Sequence, residues 1–105
     1  VKGQREGTVY WYYPDGKINV EYNYKKGLIQ GVAKTYFKNG QLQSEVTMKN
    51  NVEEGEYKEY YDTGKIKLNG YFVNGKKEGE WRELDADGKI IKVEKYKNGE
   101  LLKKK

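Results

Sequence analysis

The sequence contains no cysteine and no histidine, and only one serine (Ser44) and one proline (Pro14). The lack of cysteine removes disulfides, thiolate metal sites and thiol nucleophiles, and leaves the redox compartment open. The lack of histidine as well excludes Ser/His and Cys/His catalysis and any His- or Cys-ligated metal centre. No apolar run is long enough for a membrane-spanning helix or a signal peptide. Hydrophobic residues are scarce, at 35%, so a two-layer core would be thin. Charge of one sign is also scarce: the net value is +5. Segments 1–30, 31–54, 55–78 and 79–105 carry +2, 0, +1 and +2. Lys103-Lys104-Lys105 is the one dense cluster, read as a solvated tail or as a contact for an anionic surface. The chain begins with Val1, which leaves room for a removed targeting segment. Bacterial cytoplasm and a secreted or cell-surface location both stay open.

What is abundant is aromatic surface, with 11 Tyr, 2 Trp and 2 Phe. Charged residues make up 35%, but disordered segments are poor in aromatics, so the chain is read as folded. Tyr and Trp bury large areas while keeping a polar tip, which suits a sheet with both faces near water.

Glycine sets the organisation. Gly7, Gly31, Gly55 and Gly79 lie 24 residues apart, and Gly16, Gly40, Gly64 and Gly88 follow each by nine. A third column holds Gly27, Asn51, Gly75 and Gly99. Side chains repeat between them: Tyr12, Tyr36, Tyr60 and Leu84; Val9, Ala33, Tyr57 and Trp81; Ile18, Leu42, Ile66 and Ile90; Tyr24, Met48, Phe72 and Tyr96. The resulting domain, 1–105, has a partial unit 1–6, repeats 7–30, 31–54, 55–78 and 79–102, and the basic tail 103–105.

Each unit reads as a β-hairpin. Asp15-Gly16, Asn39-Gly40 and Asp87-Gly88 favour tight turns, with Asp62-Thr63-Gly64 as a variant; Asn74-Gly75, Asn98-Gly99, Lys26-Gly27 and Asn50-Asn51 mark the second turn. The glycines are read as bends between strands. Ile18, Val20, Tyr22 and Tyr24, then Leu42, Val46 and Met48, then Ile66, Leu68 and Phe72, alternate with period two, which predicts one packed and one wet face. The fourth unit, with Ile90, Ile91, Val93 and Tyr96, breaks step, as a bulge or loosened end repeat would. The only candidate for a helix is Leu101-Leu102 with the lysine tail. Lone hairpins are marginal in water, so the units must lean on one another. The predicted fold is all-β, a single-layer antiparallel meander of eight strands, on the order of 40 Å long. Its end strands are open edges that invite pairing with a second copy.

This pattern resembles the bacterial variant of the MORN repeat. The motif is Gly-x-aromatic-x-x-Tyr-Tyr/Phe-x-Asn/Asp-Gly-Lys-Ile/Leu, then Tyr/Phe-x-Asn-Gly and a Glu just before the next Gly. Here it reads Gly55-Glu56-Tyr57-Lys58-Glu59-Tyr60-Tyr61-Asp62-Thr63-Gly64-Lys65-Ile66, then Phe72-Val73-Asn74-Gly75-Lys76-Lys77-Glu78-Gly79. The resemblance includes a YwqK-like antitoxin group and surface or secreted bacterial proteins. It implies an elongated sheet of hairpins used for protein contacts, with lipid binding in some relatives, and brings no catalytic residue. Leu84-Asp85 and Asn51 depart from the motif, so the fourth repeat is read as a cap.

No chemistry is assembled by the residues themselves. Carboxylate pairs such as Glu53/Glu54 and Asp85/Asp87 remain, and turn or surface acids explain them better than a hydrolase does. No glycine opens a helix for phosphate, and no cofactor is expected. Aromatics interleaved with lysine suit single-stranded nucleic acid, but Tyr at a repeating strand position is more readily packing, and the uncharged second unit interrupts a phosphate track. The expected function is a non-catalytic scaffold for a protein partner. The alternative is peripheral binding to anionic lipid or glycan; the least favoured is a carboxylate hydrolase. The candidate surface is the aromatic cluster Tyr10, Trp11, Tyr13, Tyr22 and Tyr24. Trp11 stands out because later units have Thr35, Glu59 and Glu83 there; an earlier repeat covering it is the competing reading. The expected repeat core is Tyr12, Tyr36, Tyr60, Ile18, Leu42, Ile66, Ile90, Phe72 and Trp81, and the expected turn residues are Gly16, Gly40, Gly64, Gly88, Gly27, Gly75 and Gly99.

Overall fold

Two kinds of turn alternate along the chain and generate every strand. The computed structural model describes residues 6–102. The strands are β1 (Gly7–Tyr12), β2 (Ile18–Lys25), β3 (Leu28–Tyr36), β4 (Leu42–Lys49), β5 (Val52–Tyr60), β6 (Ile66–Val73), β7 (Lys76–Leu84), β8 (Ile90–Lys97) and β9 (Glu100–Leu102). They form one antiparallel sheet in sequence order, measuring 54 × 32 × 16 Å. The described residues thus form nine strands rather than eight. Leu101 and Leu102 extend the sheet instead of starting a helix, because Leu101 pairs with Tyr96 and Leu102 with Lys95. The lysine cluster and residues 1–5 lie outside the described residues.

The Asn-Gly positions make the tight turns. Asn74 and Gly75 have φ of 52° and 79°, and Lys26-Gly27, Asn50-Asn51 and Asn98-Gly99 share that left-handed pair, the requirement of a two-residue hairpin turn. Asn51 replaces glycine at φ 72° because its side-chain oxygen accepts the Ile29 N–H at 2.8 Å. The Asp-Gly positions make longer turns. Gly16 N–H donates to the Tyr13 carbonyl at 2.9 Å and Tyr13 N–H to the Lys17 carbonyl at 2.7 Å, with Pro14 at the position where its fixed φ fits.

The glycine column 31, 55 and 79 corrects the reading of every glycine as a bend. These residues lie inside β3, β5 and β7 with φ of 78°, 116° and 76°. The register shifts beside them, between Glu21 and Asn23, Val46 and Met48, and Asn69 and Tyr71. They mark bulges, for which a residue free to take positive φ is needed.

A second bulge recurs in every hairpin, not only in the fourth. Trp11 pairs with Val20 and Tyr12 with Ile18, leaving Asn19 extra; Gln43, Lys67 and Ile91 are extra at the equivalent places. One inserted residue reverses which face the subsequent side chains take. Ile18, Leu42 and Ile66 therefore sit on the opposite face from Val20, Val46 and Leu68, and the expected single packed face becomes two half-faces. Away from the long turns, the front carries Tyr57, Phe72, Trp81 and Tyr96. Near them, the back carries Tyr36, Tyr60, Ile18, Leu42 and Ile66.

Burial is correspondingly thin. Trp81, 4% exposed, is the one buried hydrophobic residue among those described. It stacks on Tyr57 at 5.6 Å and meets Phe72 and Tyr96 edge-on at 5.0 and 6.4 Å. Lys77 Nζ lies 4.7 Å from its ring centroid. Tyr36, Tyr60, Ile18, Leu42, Ile66 and Phe72 are half-buried. Tyr12 and Ile90, expected in the core, are instead 58% and 55% exposed, because each lies at an end of the sheet where, among the described residues, no further hairpin covers it.

Candidate functional site

The repeating polar residues are mostly occupied in joining one hairpin to the next. Glu6 accepts the Lys26 N–H at 2.6 Å, Glu54 the Asn74 N–H at 2.9 Å and Glu78 the Asn98 N–H at 3.0 Å. Each carboxylate thus holds a tight turn that closes 20 residues later. In the remaining unit the column is Gln30, whose amide reaches Asn50. The glutamate preceding each glycine is visible in the motif, but its turn partner lies a full hairpin away and carries no local signal. Replacing Glu54 with Ala is expected to lower stability by about 1–2 kcal/mol by orphaning that N–H, and Glu54→Gln, which keeps an acceptor, by about half as much. Denaturant unfolding with amide exchange at Asn74 checks this.

The carboxylate pairs are similarly employed. Asp85 Oδ1 accepts the Asp87 and Lys89 N–H groups at 2.9 and 3.0 Å; Glu54 holds its turn. Among the described residues no group of three or more acids has metal-site geometry.

On the back, phenols meet glutamates of the preceding hairpin: Tyr36 Oη donates to Glu21 at 2.9 Å and Tyr60 Oη to Glu45 at 2.6 Å. On the front, Tyr57 donates to Glu59 at 3.0 Å. Burial, then the hydrogen bond to each glutamate, pushes all three phenols from 10.0 up to about 12. Tyr96 is shifted upward by the same causes, with Glu94 as its acceptor. The folded state therefore holds these protons more tightly than the unfolded chain. Below pH 10 the contribution is complete, and it is lost as pH rises from 10 to about 12. Thermal melts from pH 8 to 12, read beside phenolate absorbance, are expected to show stability falling across that interval; constant stability would refute the linkage.

The aromatic cluster of the first unit divides. Tyr13 is half-buried, its hydroxyl donating to the Tyr36 carbonyl at 2.7 Å. Tyr61 repeats the bond to Leu84 at 2.8 Å, so this position joins hairpins. Tyr22 and Tyr24 are half-buried, with rings 5.5 Å apart. Tyr10 and Trp11 remain exposed, at 42% and 59%. Trp11 Nε1 donates to Tyr22 Oη at 2.5 Å, which orients the indole across the front beside β2. Tyr10 and Tyr12 share the back at 6.3 Å. These side chains stand on β1, whose outer edge bears no strand among the described residues.

A second exposed apolar patch occupies the opposite end, where Ile90, Ile91, Val93, Leu101 and Leu102 are exposed. Sequence reading missed it by placing Ile90 in the core. Between the ends, the back has shallow grooves lined by Val32, Glu45, Thr47, Glu56 and Lys58 and by Asn69, Tyr71, Glu80 and Arg82. Both are open to solvent.

Residues 5–26, 29–50, 53–74 and 77–98 match the family described as MORN repeat variant. Each stretch spans one hairpin with its long turn, and the tight turns lie at the junctions. No curated protein matches the sequence.

Proposed function

Because the chain belongs to the MORN repeat variant family, a non-catalytic repeat type that generally mediates protein or membrane-lipid contacts, we propose that it is a protein-binding scaffold engaging its partner through the aromatic edge strand β1. One observation carries this reading. Trp11 is 59% exposed on an edge that bears no further strand among the described residues, where inner repeats have Thr35, Glu59 and Glu83. Exposed Trp and Tyr anchor interfaces, and an open edge supplies backbone hydrogen bonds to an added strand. An antitoxin-like or bacterial surface role is the finer form of this reading, supported by the resemblance of the motif.

Affinity capture with wild-type and Trp11→Ala protein tests it. Loss of Trp11 is expected to weaken capture of a specific partner by about tenfold or more. Equal recovery by both proteins would remove the β1 edge from the site. Co-sedimentation with anionic vesicles at low and high salt tests the lipid reading: binding that persists in Trp11→Ala and fades with salt would favour it.

A further inference from the structure

The two shallow grooves on the back are one groove repeated, and we propose that together they bind a neutral, proline-rich segment of a partner protein in the polyproline II conformation. Val32, Glu45, Val46, Thr47, Glu56 and Lys58 line the first, and the residue 24 positions on from each lines the second, with Glu56 as the wall between them. Gly55 and Gly79 account for the depressions. Each sits at positive φ inside its strand, beside a register shift, and a bulge bends the strand there. The site lies within β3 to β7 and is a second contact, apart from the β1 edge.

The spacing selects the occupant. Neighbouring strands lie about 4.8 Å apart, so grooves two strands apart repeat at about 9.6 Å. A polyproline II chain laid across the strands advances about 9.3 Å in three residues, and its residue i+3 faces the way residue i does. An extended β chain returns to the same side at about 6.6 Å and again at about 13 Å, missing the second groove both times. An α-helix comes back after about 10.5 Å, but its carbonyls are already bonded within the helix and leave polar walls nothing to pair with. Twist rotates each strand by about 20–25° against the next, so the match holds over two grooves and not along a longer row. The ligand is therefore a short motif with prolines three residues apart.

The walls suit a neutral chain. Lys58 Nζ lies 3.7 Å from Glu56, Arg82 is paired with Glu80, and Glu45 accepts the Tyr60 hydroxyl at 2.6 Å. Every charged group lining the two grooves thus has a partner within the sheet, which leaves a phosphate or carboxylate no free cation to meet. What is free is apolar or neutral. Val32 and Tyr71 are 39% and 51% exposed although neither lies at an end of the sheet, and Tyr71 stands where the other units have Asn23, Thr47 and Lys95. The Val32 side chain in one groove and the Tyr71 ring in the other each offer an apolar wall to a prolyl ring. The Asn69 amide and the Tyr71 hydroxyl have no hydrogen-bond partner among the described residues. Proline has a carbonyl and no N–H, and polyproline II leaves its carbonyls unbonded, so such a chain asks for the donors that these two side chains hold.

Titration of the isotope-labelled 105-residue chain with decaproline, followed by backbone amide shifts, tests the proposal. Shifts are expected at Thr47, Glu56, Gly70, Tyr71 and Glu80, saturating with the weak affinity of a contact this small. Tyr71→Thr and Val32→Thr install the residue type that Thr47 and Thr8 hold in the same columns, so the strands are kept, as circular dichroism would verify. Tyr71→Thr should weaken binding about tenfold and Val32→Thr about threefold, while Trp11→Ala binds as wild type does. In a serine-based peptide, two prolines three residues apart should bind about threefold tighter than two prolines four apart, because only the first pair fills both grooves. No shift at near-millimolar decaproline overturns the proposal. So does undiminished binding by Tyr71→Thr, indifference to the proline spacing, or a cello-oligosaccharide that shifts the same amides more strongly than decaproline, the mark of a glycan site. Any such failure leaves the scaffold reading standing if capture of a protein still depends on Trp11.

Discussion

Trp81→Ala is expected to lower unfolding stability by about 3–5 kcal/mol, most of what a domain of this size holds. In a single-layer sheet no other hydrophobic side chain among the described residues is buried: Trp81 is 4% exposed and joins Tyr57, Phe72 and Tyr96 across four consecutive strands, β5 to β8. Its indole N–H also donates to the Tyr71 carbonyl at 3.2 Å, and Lys77 closes over both Trp81 and Tyr96 at 4.7 and 4.8 Å. Truncation opens a gap to solvent instead of a closed cavity, so the lost aromatic contacts dominate over residual cavity volume. Because repeats couple mainly to their neighbours, the third and fourth hairpins should loosen before the first two. Chemical denaturation combined with amide exchange resolved by strand measures both parts. Trp11→Ala is the comparison: the same side chain, exposed, is expected to change stability by no more than about 0.5 kcal/mol. Equal losses for the two tryptophans, or uniform deprotection of all four hairpins, would show that the sheet is not organised around this cluster.

That asymmetry between the tryptophans was only half legible in the sequence. Turn chemistry is local, so Asn74-Gly75 and Asp15-Gly16 announced the hairpins, and the 24-residue columns announced their stacking. The bulges were not announced. Asn19, Gln43, Lys67 and Ile91 share no property that distinguishes an inserted residue from a paired one, yet each reverses the parity of its strand from that point on. Period-two reading therefore merged Ile18 with Val20 although they lie on opposite faces. Gly31, Gly55 and Gly79 were conspicuous, but glycine at positive φ serves a turn and a mid-strand bulge equally, and only pairing tells them apart. Candidate-site residues split for a related reason. Trp11 was recognisable as an outlier in its column, whereas Tyr13 resembled it until its hydroxyl was found on the Tyr36 carbonyl, 23 residues away. Ile90 matched its column in type, but burial depends on a further hairpin that a column cannot register.

Gly70→Ala is expected to destabilise by about 1–3 kcal/mol, although alanine suits a strand better than glycine by about 0.5–1 kcal/mol when nothing intervenes. The sign is set by Trp81. A Cβ built on Gly70 would lie 2.0 Å from Trp81 Cδ2, 2.2 Å from Cε2 and 2.6 Å from Cε3. A rigid ring packed between Tyr57 and Phe72 cannot yield as a flexible chain end would. Gly70 is not at positive φ, so the backbone raises no objection of its own. Column sizes show the same compensation between adjoining hairpins: Val46 pairs with Tyr57, and Gly70 lies beneath the largest side chain of all. The effect must therefore reverse once the ring is gone. In a Trp81→Ala background, Gly70→Ala should be neutral or stabilising by up to about 1 kcal/mol, giving a coupling of about 1–4 kcal/mol in a double-mutant cycle. Denaturant titration of the four proteins decides it. Additive losses would mean that the indole and the glycine are neighbours without being fitted to each other.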